Sequence, residues 1–464
     1  MQMISCEIPQ FCQAEIKYTV DYVLNRIFDC EVNYVDSECS DILLHLEGDF
    51  KVIFSCELFK YIDDTWLDGN DWPLEFSLMD ISRLNCNHLQ SIPVLFGEPR
   101  VTVDEGFFQF HFDLFGTIFW MITRYEEGVY TSDLDKHQRF DSTMSVLKKH
   151  GILDRPLVDE YVELLSKIVV SDKFKIKDNS SVTKDFVTCD VDWPFEASFQ
   201  SLKLTTRTIF GDIFKRRDFS KAMYHFLGYV CSKLKLPHKD SVKDSIYWIM
   251  DVNELVGNKV AFYFIVKKTS VKDSGFDFGS HELRSLLREI YDRGHEIGIH
   301  PGYDCFNNKE LFSNSSYEFK KVLQEEGIIQ SQVGGRMHYL RWDAKTTPKL
   351  WDESGFDYDS SLAYADSSGF RCGTSHSFPM YDLVGRAALN VVQRPLINME
   401  ATILSPLYEG VSIDQAKERF CMYKSLVKRF RGEYVLLWHN TSLRTNKERE
   451  LYLEVINYNE ENPI

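Results

Sequence analysis

Apolar positions change rhythm part-way along the chain. After residue 183, short β-branched or aromatic runs alternate with stretches in which apolar residues recur every three to four positions, the pattern of strand–helix units around a parallel sheet. Strands are predicted at 186–189, 260–266, 296–299, 335–339, 356–358, 396–399 and 434–438, and amphipathic helices at 245–256, 283–293, 316–326 and 414–430. Seven strands with outer helices predict an α/β fold, a distorted (β/α)7 barrel. Upstream, apolar runs at 41–46 and 51–54 mix with helical patterns, and 156–170 reads as an amphipathic helix. The change of character falls near Lys177-Asp178-Asn179-Ser180-Ser181. The expected division is a smaller α/β accessory domain at 1–140, a helical linker at 141–182 and the barrel at 183–464. The most apolar stretch, 107–122, is broken by His111 and Asp113 and is shorter than the roughly 20 residues of a membrane span, so it is expected in the core.

Length and charge narrow the picture. A chain of 464 residues with 44% apolar content can bury more than one core. Its 53 basic against 70 acidic residues leave a net charge of −17, which repels a phosphate backbone and argues against a nucleic-acid partner. Eleven scattered cysteines without a CxxC pair fit free thiols, and the start MQMISCEIPQ lacks a basic-then-apolar leader, so a cytoplasmic location is expected. One stretch reverses the charge: between residues 199 and 239, Lys203, Arg207, Lys215, Arg216, Arg217, Lys221, Lys233 and Lys235 interleave with aromatics. A solvated helical face covering the barrel is the plain reading. Peripheral contact with an anionic membrane, or with a phosphate-bearing lipid-linked glycan, is the sharper one.

Polar residues fall where the predicted strands end, the face on which βα barrels gather side chains around one cavity. In Val187-Thr188-Cys189-Asp190-Val191-Asp192, alternation puts Asp190 and Asp192 on the same side of the chain. One carboxylate can bind a divalent cation while the other takes a proton from water, although an isolated pair of this kind is commonly just a strand end entering a turn. The segment His295-Glu296-Ile297-Gly298-Ile299-His300 ends on a candidate ligand, with Asp304 four residues on. His295 reads as structural. Arg336 and His338 stand in a stretch with apolar neighbours, where a buried cation needs a partner, and the Asp190 carboxylate is the expected one. The run Tyr434-Val435-Leu436-Leu437-Trp438 stops at His439, a residue type able to protonate a leaving amine near neutral pH.

In this order the segments resemble the polysaccharide deacetylase superfamily (NodB homology, carbohydrate esterase family 4) over about residues 183–464. The match comprises a first motif at Thr188 to Asp192, a second at His295 to His300, an arginine motif at Arg336 and a last motif at Leu436 to His439. The resemblance implies a metal-dependent N-deacetylase of amino sugars. Asp190 is its general base, Asp192 and His300 are metal ligands, Arg336 orients the base, and His439 is the general acid. The cofactor it implies is a divalent metal, zinc first, with cobalt, nickel or manganese as alternatives. Metal and backbone N–H groups would stabilise the oxyanion. Two departures stand out. Asp304 occupies the position of a usual second metal histidine, so the third ligand is either Asp304 or His338, or the site binds metal weakly or not at all. His338 also replaces a usual proline. Tyr358-Asp359-Ser360-Ser361-Leu362, Gly369-Phe370-Arg371-Cys372-Gly373-Thr374, Arg124-Tyr125-Glu126-Glu127 and Arg139-Phe140 resemble a bacterial subgroup with an additional N-terminal domain of unknown role. Tyr339, Arg341, Asp359, Arg371 and Glu400 are the expected cleft or supporting residues, with turn or surface roles as the alternative. The expected activity is deacetylation of an N-acetylated carbohydrate intermediate of a surface polysaccharide. A silent glycan-binding barrel and a cyclic-amide hydrolase are the rivals.

Overall fold

The computed structural model describes residues 2–46, 50–68, 75–82, 89–132, 134–168 and 185–459. The expected boundary at 177–181 therefore lies outside the described residues, as do the last two positions of the helix expected at 156–170, which runs Leu157–Ile168. The upstream part is built on a six-stranded mixed sheet in the order Cys30–Asp36, Gln2–Ile8, Ile42–His45, Lys51–Phe54, Phe107–Phe112 and Gly97–Asp104. The apolar stretch at 107–122 splits at Asp113. The strand Phe107–Phe112 ends there, and the Asp113 carboxylate caps the fully buried helix Leu114–Ile122 by accepting a 2.6 Å hydrogen bond from the Gly116 N–H.

The downstream part is one nine-stranded sheet in the order Phe378–Asp382, Ala387–Gln393, Tyr358–Asp359, Gly334–Gly335, Glu296–His300, Val260–Ile265, Phe186–Val191, Val435–Leu437 and Asn398–Met399. Every neighbouring pair is parallel except the hairpin at the Phe378–Asp382 edge. Among the described residues the outer strands do not pair with each other, so the α/β class holds while the sheet is open rather than a closed seven-stranded barrel. Closure requires the two outermost strands to find each other, and here the unforeseen hairpin occupies one edge. The stretch expected as a strand at 335–339 pairs only at Gly334–Gly335 and then turns, with Tyr339 and Leu340 at φ 63° and 54°. Close approach explains the glycine before the turn. A Cβ on Gly335 would stand 1.9 Å from the Ile299 carbonyl oxygen.

Register lines up the functional edge. Asp190 pairs with Tyr263, His300 with Ile265 and Gly335 with Ile299, while the Trp438 N–H donates to the Thr188 carbonyl at 3.0 Å. The ends of five strands therefore meet at one level, as expected outside the carboxyl ends of a parallel sheet.

Two large cores flank this arrangement. The first contains upstream side chains together with Trp342, Leu362, Tyr364, Cys372, Phe378 and Tyr381 from downstream, so one apolar body spans both. At its centre are buried charges. Arg371 grips Glu127 through two hydrogen bonds of 2.9 and 2.6 Å, Arg124 donates to the same carboxylate at 2.8 Å, and Arg124 also donates to the Arg371 carbonyl at 2.5 Å. Burial works against the Glu127 charge, but Arg371 and Arg124 hold its carboxyl below the ordinary range. Arg371, expected near the cleft, is thus a buried joint between the two parts.

Removing one member of such a network strands the others. Glu127→Ala is expected to destabilise the fold by about 3–5 kcal/mol in urea unfolding. Lys309→Ala, which breaks the exposed pair with Glu353, should change stability by at most about 1 kcal/mol. Equal effects would remove the distinction between joint and surface.

Candidate metal centre and active cleft

The strand Phe186–Val191 delivers Asp190 to the edge of the sheet, buried at 2% exposure. Arg336, with no exposure, donates through one nitrogen to Asp190 Oδ1 at 2.7 Å and to the Thr188 hydroxyl at 2.9 Å. Its other nitrogens donate to the Ser360 carbonyl at 2.7 Å and the Ser360 hydroxyl at 3.0 Å. The guanidinium also lies over the Tyr263 ring, 5.0 Å from its centre. Asp190 is therefore aimed by a side chain that is itself fixed on every side.

Asp192, two residues on, has no such clamp. Its Oδ1 is buried and accepts no hydrogen bond, yet His300 Nε2 and His338 Nε2 stand 3.4 and 3.5 Å from it. Each imidazole is fixed through its other nitrogen. His300 Nδ1 donates to the Arg336 carbonyl at 2.6 Å, and His338 Nδ1 donates to Asp273 at 2.7 Å. With Nδ1 as the donor, each ring can turn an Nε2 lone pair toward Asp192. One ligand atom from each of Asp192, His300 and His338 lies within 4.8 Å of the others. An orphaned carboxylate oxygen faced by two oriented imidazole nitrogens fits a divalent cation. Two imidazoles and one carboxylate with open positions form a donor set suited to zinc and its neighbours.

Electrostatics agree with the geometry. Burial opposes the Asp192 charge, but His338, His300 and His439 together hold its carboxyl well below the carboxylate range. For His300 burial disfavours the cation, and Asp190 and Asp192 outweigh it and raise the imidazole above its usual value. Asp273, missed in the sequence reading, is buried and accepts hydrogen bonds from the backbone of Thr269, Ser270 and Tyr303 as well as from His338. Although burial works against it, these bonds hold Asp273 down at about 2. No spacing motif marks this loop aspartate.

His439 follows the strand Val435–Leu437 and donates through Nδ1 to Glu400 at 2.7 Å. Burial disfavours its cation, but Glu400 leads Asp192 and Asp190 in raising the imidazole to about 10. A cleft of about 180 Å³ brings together Asp190, Asp192, His300, His338 and His439, with Tyr339, Leu340, Ala365, Met399, Ala401, Tyr408 and the upstream Arg139 completing its lining. Larger surface hollows elsewhere contain none of the clustered histidines.

Several expected site residues lie apart. Asp304 accepts from Arg341 at 3.1 Å and is half exposed, outside the cluster. Arg341 is held between the Tyr303 and Phe306 rings and donates to the His137 and Tyr303 carbonyls, which leaves it no free donor face for a substrate. Asp359 is fully buried against Ser361, and burial raises it to about 7. Glu400 reaches the cleft only through His439, whereas Tyr339 lines it directly.

A model of a family of unknown function, DUF7033, matches residues 4–174. No curated protein matches the chain. Among solved structures, one described provisionally as a polysaccharide deacetylase from Mycobacterium smegmatis is similar, with 17% identity, 60% of this chain and 84% of that chain covered, and a TM-score of 0.37.

Zinc titrated into the purified protein is expected to bind at one site per chain. His300→Ala and His338→Ala should each lose it, Asp304→Ala should keep it, and Asp273→Asn should weaken it about 10–100-fold. Loss in Asp304→Ala with retention in His338→Ala would reverse the ligand assignment.

Proposed function

We propose that this chain is a metal-dependent hydrolase that removes the N-acetyl group from an amino sugar or a polysaccharide intermediate. The observation that carries the reading is a single cleft in which an Arg336-aimed carboxylate and a Glu400-aimed imidazole share the space with the Asp192–His300–His338 cluster. These are the parts that amide hydrolysis needs, a base, an acid and a place for a cation. The ordered motifs from Thr188 to His439 agree with it.

When bound, a zinc-like cation polarises a carbonyl and raises the acidity of water. The protein's own groups supply the proton traffic. Asp190, held by Arg336, takes a proton from the attacking water. The carbonyl carbon gains the water oxygen, the C–N bond breaks, and acetate departs with the original carbonyl oxygen and the new one. His439 gives its proton to the departing nitrogen, which leaves as the amine. With its imidazole raised to about 10, His439 holds that proton through neutral pH. Glu400 positions His439 and offsets the cost of burying its charge.

The cleft is small for a sugar polymer. It takes an acetamido group and leaves the ring at its mouth, beside Tyr339, Tyr408 and Arg139. The silent, glycan-binding alternative draws its support from Asp304 standing where a second histidine is usual. His338 offers an imidazole in its place. Residues 1–140 act in this reading as an accessory part that lends Arg139 to the cleft wall. The substrate is read as an intracellular precursor of a surface polysaccharide.

Acetate release from a panel of N-acetylated sugars, measured on zinc-loaded protein, tests the proposal. Asp190→Asn and His300→Ala are expected to lose activity by about 10³-fold or more. Absence of acetate from wild type across the panel, with metal bound, would sink the hydrolase reading. The acid role of His439 has its own signature. Its proton is lost only as pH rises through about 10, so the alkaline limb of kcat/KM should lie well above the ordinary imidazole range, and Glu400→Gln should move that limb to lower pH. An alkaline limb unmoved in Glu400→Gln would argue for a different acid.

A further inference from the structure

The segment after Asp192 and the turn Ala197–Phe199 leaves the sheet as a helical hairpin that the chemistry above does not use. One arm is Leu202–Phe210 continued by Gly211–Arg216, and the other is Phe219–Lys233. The arms pack on each other and on the turn. Phe199 fills the space over Gly228, where a Cβ would come within 2.2 Å of its ring, and Asp212 receives both Arg216 at 2.6 Å and His225 at 2.7 Å. The hairpin is thus internally tied, yet its outer surface is apolar. Among the described residues, ten of the twenty-three exposed large apolar side chains fall within 202–236, far more than a water-facing surface requires.

The tip concentrates this surface. Phe210, Phe214 and Phe219 are 62%, 70% and 71% exposed, and the first two stack with ring centres 5.6 Å apart. Lys215 and Arg217, exposed beside them, have no ion-pair partner among the described residues. Residues 201–239 hold nine lysines and arginines against two aspartates, in a chain whose net charge is −17. A protein partner of ordinary interface size needs a broad surface, about 800 Å² per side. Three rings and two free cations crowded at the bend between two helices instead match the interface of an anionic bilayer, where rings enter the acyl boundary and cations meet lipid phosphates. The strongly negative remainder of the protein would be repelled by the same surface, so attachment would be confined to this end.

We propose that the hairpin tip docks the protein on anionic lipid bilayers. Phe210, Phe214 and Phe219 insert into the interface, and Lys215 and Arg217 hold the headgroups. Among the described residues, no helix is long and apolar enough to cross a membrane, so this attachment is peripheral. The first arm of the hairpin begins at Leu202, ten residues after Asp192.

Co-sedimentation of the full chain with vesicles of phosphatidylcholine alone, or of phosphatidylcholine mixed with phosphatidylglycerol, tests this without reference to activity. Wild type is expected to bind the mixed vesicles, to bind them less at high salt, and to leave neutral vesicles unbound. The variants Lys215→Glu with Arg217→Glu, and Phe210→Ser with Phe214→Ser and Phe219→Ser, should each weaken binding roughly tenfold or more while keeping the wild-type thermal midpoint, since all five side chains are exposed. No binding of wild type to mixed vesicles at low salt overturns the proposal. So does equal binding by wild type and the folded variants. Light scattering that shows a wild-type dimer, made monomeric by the phenylalanine substitutions without vesicle binding in either, would reassign the tip to self-association and likewise overturn it.

Discussion

Arg336 has no exposure to water, and a guanidinium in that position persists only if every donor is met. The way it is met organises the site. Its side chain ties the strand that carries Thr188 and Asp190 to the loop that carries Ser360, while its own carbonyl accepts the His300 Nδ1 proton. One residue therefore aims the candidate base and fixes the tautomer of a candidate ligand. A lysine could replace the charge but not the geometry, because an ammonium cannot reach three separate acceptors in a plane. The Tyr263 ring beneath the guanidinium and the glycine before it, which lets the chain pass close to Ile299, complete the setting.

The upstream part contributes more than bulk. Tyr339 and Leu340 both lie in the left-handed region, at a cost of roughly 1–2 kcal/mol per residue. They lie there because the chain must turn sharply just after His338 while that side chain reaches Asp273. Surrounding bonds hold the turn. Arg139 donates to the Tyr339 carbonyl at 2.8 Å and is itself held by Asp135, and Arg341 is pinned between Tyr303 and Phe306 with a bond to the His137 carbonyl. Segments on both sides of residue 169 thus fix the position of His338. The shared core and the Glu127–Arg371 joint make that fixation rigid.

The strand ends are legible because strands buried on both faces read as continuous apolar runs, and a polar residue at the end of such a run stands out. Asp190, His300 and His439 are found on that ground. The pairing of His338 with the metal cluster stays open in the sequence, because it depends on a backbone turn at Tyr339 that no periodicity encodes. Asp273 is invisible for a related reason. It lies in a loop without spacing signal, and its role comes from bonds to nearby Thr269 and Ser270 together with Tyr303 and His338, which are remote in sequence. Arg341 and Arg371 read as cleft residues because sequence marks an arginine near a motif but not the carbonyls and rings that use up its donors. The open sheet has the same origin: strand count is local, and closure is a matter of which edges meet.

Two aspartates two residues apart at the end of one strand come to have opposite surroundings, and partners rather than position decide it. Asp190 is bound by a fixed cation, so one oxygen is committed and the carboxylate cannot turn. Asp192 lies past the strand's last paired residue, beyond the reach of Arg336, and keeps a buried oxygen with no hydrogen bond, facing two imidazole nitrogens that cannot rotate away. Leaving a buried carboxylate oxygen unsatisfied costs about 1–3 kcal/mol or more, so an evolved site retains it only where something else satisfies it. Exchange of the two environments would need a second buried arginine near Asp192, which would expel any cation. The difference between the surroundings of the two aspartates therefore follows from a single guanidinium and from the place where the strand stops.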